Sequence, residues 1–178
     1  MVPVEALLGL VLLLVGAVFF CNGMTLLGKT GAKEVGVLNF AVGVIISIAA
    51  WQLHGLGVTS ATALVSMFAL IYFMVAGIFV FGHDAKGLGW FCLFGTAAFL
   101  WYAYFFVDVF GDAGTFFAIF CVAWAVLTLL AFAVFALGKT MATALAWLFI
   151  IESILTLLIP GMLLLTDGWN PFGGVPGG

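Results

Sequence analysis

The sequence predicts an all-α integral membrane protein: six transmembrane helices, built as three parallel two-helix hairpins around a pseudo-threefold axis, with both termini outside. Three observations predict it: a composition that cannot face water, six long apolar runs with short breaks, and three similar turns at near-equal spacing. Of the 178 residues, 67% are hydrophobic and only 6% are charged, against about 25% charged in a soluble domain. This excludes intrinsic disorder and a secreted disulfide scaffold. Four lysines and no arginine cannot build a phosphate-binding surface, so no nucleic-acid partner is expected. Cys21, Cys92 and Cys121 stand in apolar runs without metal-type spacing and read as small buried hydrophobes. No metal and no cofactor are expected.

A helix needs about 20 mostly apolar residues to cross the hydrocarbon core. The segments 6–27, 35–53, 61–81, 88–110, 115–137 and 141–165 meet that requirement. Between them lie only short breaks, marked by Gly28-Lys29-Thr30-Gly31, His54-Gly55-Leu56-Gly57, Gly82-His83-Asp84, Gly111-Asp112 and Gly138-Lys139-Thr140. The first segment does not read as a cleaved signal peptide, because its leading end carries Glu5 and no Lys or Arg. Residues 1–167 therefore form one six-helix domain surrounded by membrane lipids, and residues 168–178 a flexible Gly/Pro-rich tail.

The four lysines set the orientation. Lys29 and Lys33 follow the first span, Lys86 the third and Lys139 the fifth, so all four fall on one side. Cytoplasmic loops are the lysine-rich ones, which places Glu5, Asp108, Asp112 and Asp167 near the outer face.

The turns on the lysine side resemble one another: Leu27-Gly28-Lys29-Thr30, Phe81-Gly82-His83-Asp84 and Leu137-Gly138-Lys139-Thr140, with glycines 54 and 56 residues apart. Glycine caps a helix by taking the left-handed conformation at no Cβ penalty. Three such caps suggest a threefold repeat. Phe117, Cys121, Trp124 and Thr128 stand 21, 17, 14 and 10 residues before Gly138. At the same distances before Gly82 stand Ala61, Val65, Phe68 and Tyr72. One residue out of register in the first span come Leu8, Leu12, Val15 and Phe19. The 4, 3, 4 spacing puts each quartet on one helical stripe. Facing one another along the axis, the stripes would line either a narrow path, with Tyr72 and Thr128 as polar handles, or a closed bundle core.

Glu152 is the only acid deep in an apolar run, where a charge costs about 2.5–3.5 kcal/mol on insertion scales. It must be neutral, solvated or paired. Asn22 and Asn39 are read first as helix–helix glue and second as solute contacts. Pro160 should interrupt the sixth span. His54 and His83 lie at loop edges on opposite sides.

Several stretches together resemble the AmiS/UreI family of bacterial urea/amide channels. They are Leu8-Gly9-Leu10-Val11-Leu12-Leu13, Cys21-Asn22-Gly23, Leu38-Asn39-Phe40-Ala41-Val42-Gly43, the Gly82…Asp84…Lys86…Trp90 turn, Leu137-Gly138-Lys139, and Ile150-Ile151-Glu152-Ser153-Ile154-Leu155 with Ile159-Pro160. The similarity runs from Leu8 to about Leu165.

The resemblance implies a multi-pass channel of the bacterial plasma (inner) membrane for urea or short aliphatic amides. It also implies a homohexamer with one pore per protomer, and a functional link to a cytoplasmic urease or amidase. The family's pore-lining sites fall on Leu8, Leu12, Phe19, Phe68, Tyr72, Phe117, Trp124 and Thr128, and its buried glutamate on Glu152. The chain departs from better-known urea channels in lacking tryptophan at Phe117, Cys121 and Thr128. It also lacks a long histidine-bearing loop, having only His54 to Ser60 between spans 2 and 3. Histidine is the usual sensor of mildly acidic pH, so an ungated channel is expected.

The competing expectation is a non-transporting membrane subunit whose aromatic stripes are only core. An intramembrane enzyme has little behind it. The chain shows no metal-ligand pair, no nucleophile–base constellation and no Gly-rich phosphate loop.

Overall fold

The computed structural model describes residues 3–166. Asp167 and the tail expected at 168–178 lie outside the described residues. The described chain is helical, with five stretches long and apolar enough to cross a membrane. Helix α1 spans Val4–Leu26, α2 Ala32–Gly55 and α3 Thr59–Phe81. The fourth stretch, Lys86–Phe135, has 50 residues and exceeds a single crossing. It is broken by a 3₁₀ turn at Gly111–Gly114 into α4 (Lys86–Phe110) and α5 (Thr115–Phe135), which pack against each other. The last stretch is α6 (Ala142–Glu152), a π-helical turn (Ser153–Leu158) and α7 (Ile159–Leu165).

All five turns carry a glycine with positive φ: Gly28, Gly57, Gly82, Gly111 and Gly138. At Gly28 the termination is a Schellman arrangement, with the Lys29 N–H donating to Met24 O and the Gly28 N–H to Thr25 O. Helix α5 stops at Phe135, two residues before the expected end, because its final turn widens: the Lys139 N–H reaches back to Ala133 O. Pro160 interrupts the last stretch as expected. Its ring would clash with the carbonyl four residues back in an α-helix, and the π turn places it in the first turn of α7.

The closest partners are not the helices joined by the lysine-side turns, which the sequence pairs as hairpins. Packing is most extensive between α2 and α3, between α4 and α5, and between α1 and the last stretch. The reason is side-chain volume. Small residues recur every seventh position: Gly36, Gly43 and Ala50 on α2; Gly89, Thr96 and Ala103 on α4; Ala146, Ser153 and Pro160 on the last stretch, all buried. Helix α1 answers with Gly9, Gly16 and Gly23. A methyl group at Gly23 would sit 2.8 Å from Ala146 O, one at Gly36 2.8 Å from a Val80 methyl, and one at Gly89 2.6 Å from Ala136 N. Without a hydrophobic drive between helices in lipid, such close backbone approach supplies the association. The outward faces carry Trp51, Trp90, Phe94, Trp101 and Trp147, all exposed, as expected of lipid-facing or interface-forming surface.

Candidate functional site

The stripes on α1, α3 and α5 meet in the interior and wall two cavities. One, of about 50 Å³, is lined by Leu8, Leu12 and Val15 from α1, Val65 and Phe68 from α3, and Phe117 and Trp124 from α5. The other, of about 60 Å³, is lined by Phe19, Phe68, Tyr72, Trp124 and Thr128, together with Asn22. This second cavity also reaches Leu26, Phe79, Ala85 and Phe135, next to the lysine-bearing turns, and is called the lysine-side cavity. Phe68 and Trp124 belong to both. Their rings meet edge to face, with centroids 5.1 Å apart and planes at 90°, a favoured aromatic geometry. The two cavities are thus in series, separated by this pair.

Trp124 is held from several sides. Phe99 packs against it at 5.8 Å, and its indole N–H donates to the Thr156 hydroxyl at 3.0 Å. Thr156 lies on the π turn and donates in turn to Glu152 O at 2.8 Å. Thr128 offers less polarity than its hydroxyl suggests. It lies 2.8 Å from Trp124 O and 2.9 Å from the Thr96 hydroxyl, so its one hydrogen is spent within the protein. Tyr72 is fully buried, yet its hydroxyl finds only Val15 O at 3.5 Å, long for an O–H···O bond.

The structure brings nine of the eleven expected pore residues into the cavity walls. Cys121 is fully buried and lines neither cavity. Glu152 is also buried outside both walls, and its Oε2 has no hydrogen-bond partner among the described residues. Asn22 and Asn39 do join α1 to α2: Asn39 Nδ2 donates to Asn22 Oδ1 at 2.8 Å, and Asn22 Nδ2 to Asn39 Oδ1 at 3.3 Å. Yet Asn22 also lines the lysine-side cavity.

Helix α4 contributes a wall that the sequence reading assigned to odd-numbered spans alone. Cys92, Phe99 and Phe106 on α4, seven residues apart, face the cavities, as does Ala85 at its N-cap. The signal for it in the sequence is the seven-residue spacing of Cys92, Phe99 and Phe106 within the fourth span. Thr156 has no such signal, because its place depends on the π turn.

Comparison with known proteins decides the family. The family model described as AmiS/UreI family transporter matches residues 7–168. The chain belongs to the AmiS/UreI family. It is 33% identical over 165 residues to the putative transporter protein AmiS2 of Rhodococcus erythropolis, covering 89% of this chain and 79% of that one. It is also 33% identical over 197 residues to the acid-activated urea channel of Helicobacter pylori, covering 92% of this chain and all of that protein. The crystal structure of the Helicobacter pylori urea channel superposes with a TM-score of 0.81 at 30% identity, over 92% of this chain and 99% of that one. A cryo-EM structure of that channel in its closed state gives 0.79 at 31% identity, over 92% and 100%. Like other members of the family, the chain is a membrane channel or transporter of the urea and amide type.

Proposed function

We propose that the chain is a passive channel for urea or short aliphatic amides in a bacterial plasma membrane, without proton gating. Its six spans are read as three parallel two-helix units around a pseudo-threefold axis, with both termini outside. The observation that carries this reading is the pair of cavities meeting at Phe68 and Trp124. The walls on either side come from the stripes the sequence repeats. Leu8, Leu12, Val15 and Phe117 line one side, and Phe19, Tyr72 and Thr128 the other. Glu152 and Cys121 are placed in support of the wall rather than in it.

Urea and acetamide are small, planar and uncharged, and leaving water costs an unpaired amide roughly 2–7 kcal/mol depending on the reference. Flat aromatic walls hold such a solute edge-on. Ions are refused because nothing along the path completes a coordination shell. Thr128 and Cys92 on the lysine-side wall leave room that favours an amide longer than urea. A homohexamer with one pore per protomer, and a cytoplasmic urease or amidase that keeps the gradient inward, complete the proposal.

Stopped-flow swelling of proteoliposomes in urea and acetamide gradients tests it. Permeability above that of empty vesicles is expected; equality with them ends the channel reading.

A further inference from the structure

We propose that Asn22 is a hydrogen-bonding station for the carboxamide of the passing solute, placed after Tyr72 on the lysine side of the Phe68–Trp124 junction. The inference rests on the channel reading above. Few polar groups in the cavity walls keep hydrogen-bonding capacity.

Trp124 has one N–H, and Thr156 takes it. The single hydrogens of Thr128 and Thr96 are committed to each other or to carbonyls of their own helices, so neither hydroxyl has a donor to offer. Tyr72 keeps a donor that is barely engaged. A side-chain amide has two N–H hydrogens and two carbonyl lone pairs. Asn39 spends both hydrogens, one on Asn22 Oδ1 and one on Val35 O at 2.8 Å, so it is fixed from behind and orients Asn22. Asn22 gives Asn39 one hydrogen and one lone pair. It keeps one of each, and it lines the cavity. A donor beside an acceptor is the complement of a primary amide or of urea.

The Val15 carbonyl beneath Tyr72 and Asn22 are seven residues apart on α1, about 10 Å along the axis. The two groups therefore act in sequence rather than on one bound molecule. On the other side of Trp124 the wall is aliphatic and aromatic apart from Ser60. The solute is stripped there and repaired at Tyr72 and then Asn22.

The test compares urea, acetamide and ethylene glycol in proteoliposomes of the full chain. The variant carries Asn22→Leu and Asn39→Leu together, so that neither amide is left unpaired. Urea and acetamide permeability should fall about fivefold, the worth of one hydrogen bond of about 1 kcal/mol, while that of ethylene glycol, which does not present a donor and an acceptor side by side in one plane, should fall less. An equal fall for all three solutes, or no fall, overturns the station. No urea flux through the unaltered chain overturns the channel reading instead. If the variant does not assemble, tracer urea efflux through the unaltered chain is measured against rising acetamide. Slowing is expected as the station fills, and strict independence up to molar acetamide overturns it.

Discussion

The indole N–H of Trp124 donates to the hydroxyl of Thr156 across 3.0 Å, joining the ring between the two cavities to the π turn of the last stretch. Thr156 touches neither cavity, so it acts by holding Trp124. Thr156→Val keeps the volume and removes the acceptor, leaving a buried N–H unpaired at a cost of about 1–3 kcal/mol. The thermal midpoint in detergent should drop, and the permeability ratio of urea to butyramide should shift. Thr156→Ser should restore the native ratio. A Thr156→Val protein with an unchanged ratio would mean the ring needs no such anchor.

Phe68→Ala distinguishes a pore from a closed core. Truncating a buried phenylalanine in a close-packed core costs about 3–5 kcal/mol, and a closed bundle would show that loss alone. In a pore the junction widens, and butyramide flux should rise several-fold relative to urea in protein that remains folded. Circular dichroism on the same sample checks the fold.

Two glycines of α1 and its turn should fail for different reasons. Gly23→Val meets Ala146 O and Ile150 at 2.8 Å, which forces α1 off the last stretch, and little folded protein should be recovered. Gly28→Ala meets nothing within 4 Å, yet its φ is +69°. A left-handed residue with a Cβ costs about 1–2 kcal/mol, so this variant should fold with a lowered thermal midpoint.

Flux should stay nearly level between about pH 5 and 7.5, the range a histidine sensor would report. The two histidines, His54 and His83, line neither cavity. Replacing each by alanine should leave permeability within the scatter of the unaltered protein. A steep rise on acidification that either substitution abolishes would identify the missing sensor.

Much of this was legible in the sequence because membrane helices leave few choices. Apolar run length marks where the long helices lie, and α3 ends at Phe81 and α4 at Phe110. The quartet spacing found the cavity walls on α1, α3 and α5 because stripes on neighbouring helices converge whatever their loops do. Helix pairing was not legible from the turns, because turns fix only which ends are close. The small-residue heptads through Gly36, Gly89 and Ala146 fix which faces touch. The burial of Cys121 behind the wall was equally hidden: a period of 3.6 places a residue on a stripe but does not say which members reach the void.

The glycine groove formed by Gly9, Gly16 and Gly23 receives the last stretch of the chain, with Gly23 against Ala146 and Gly9 against Leu165. During synthesis α1 is made before the stretch that fills its groove, so the groove must wait until Ala142–Leu165 follows. Any truncation before Ala142 would leave that groove open. Such a product should be a substrate for membrane quality control rather than a smaller working protein.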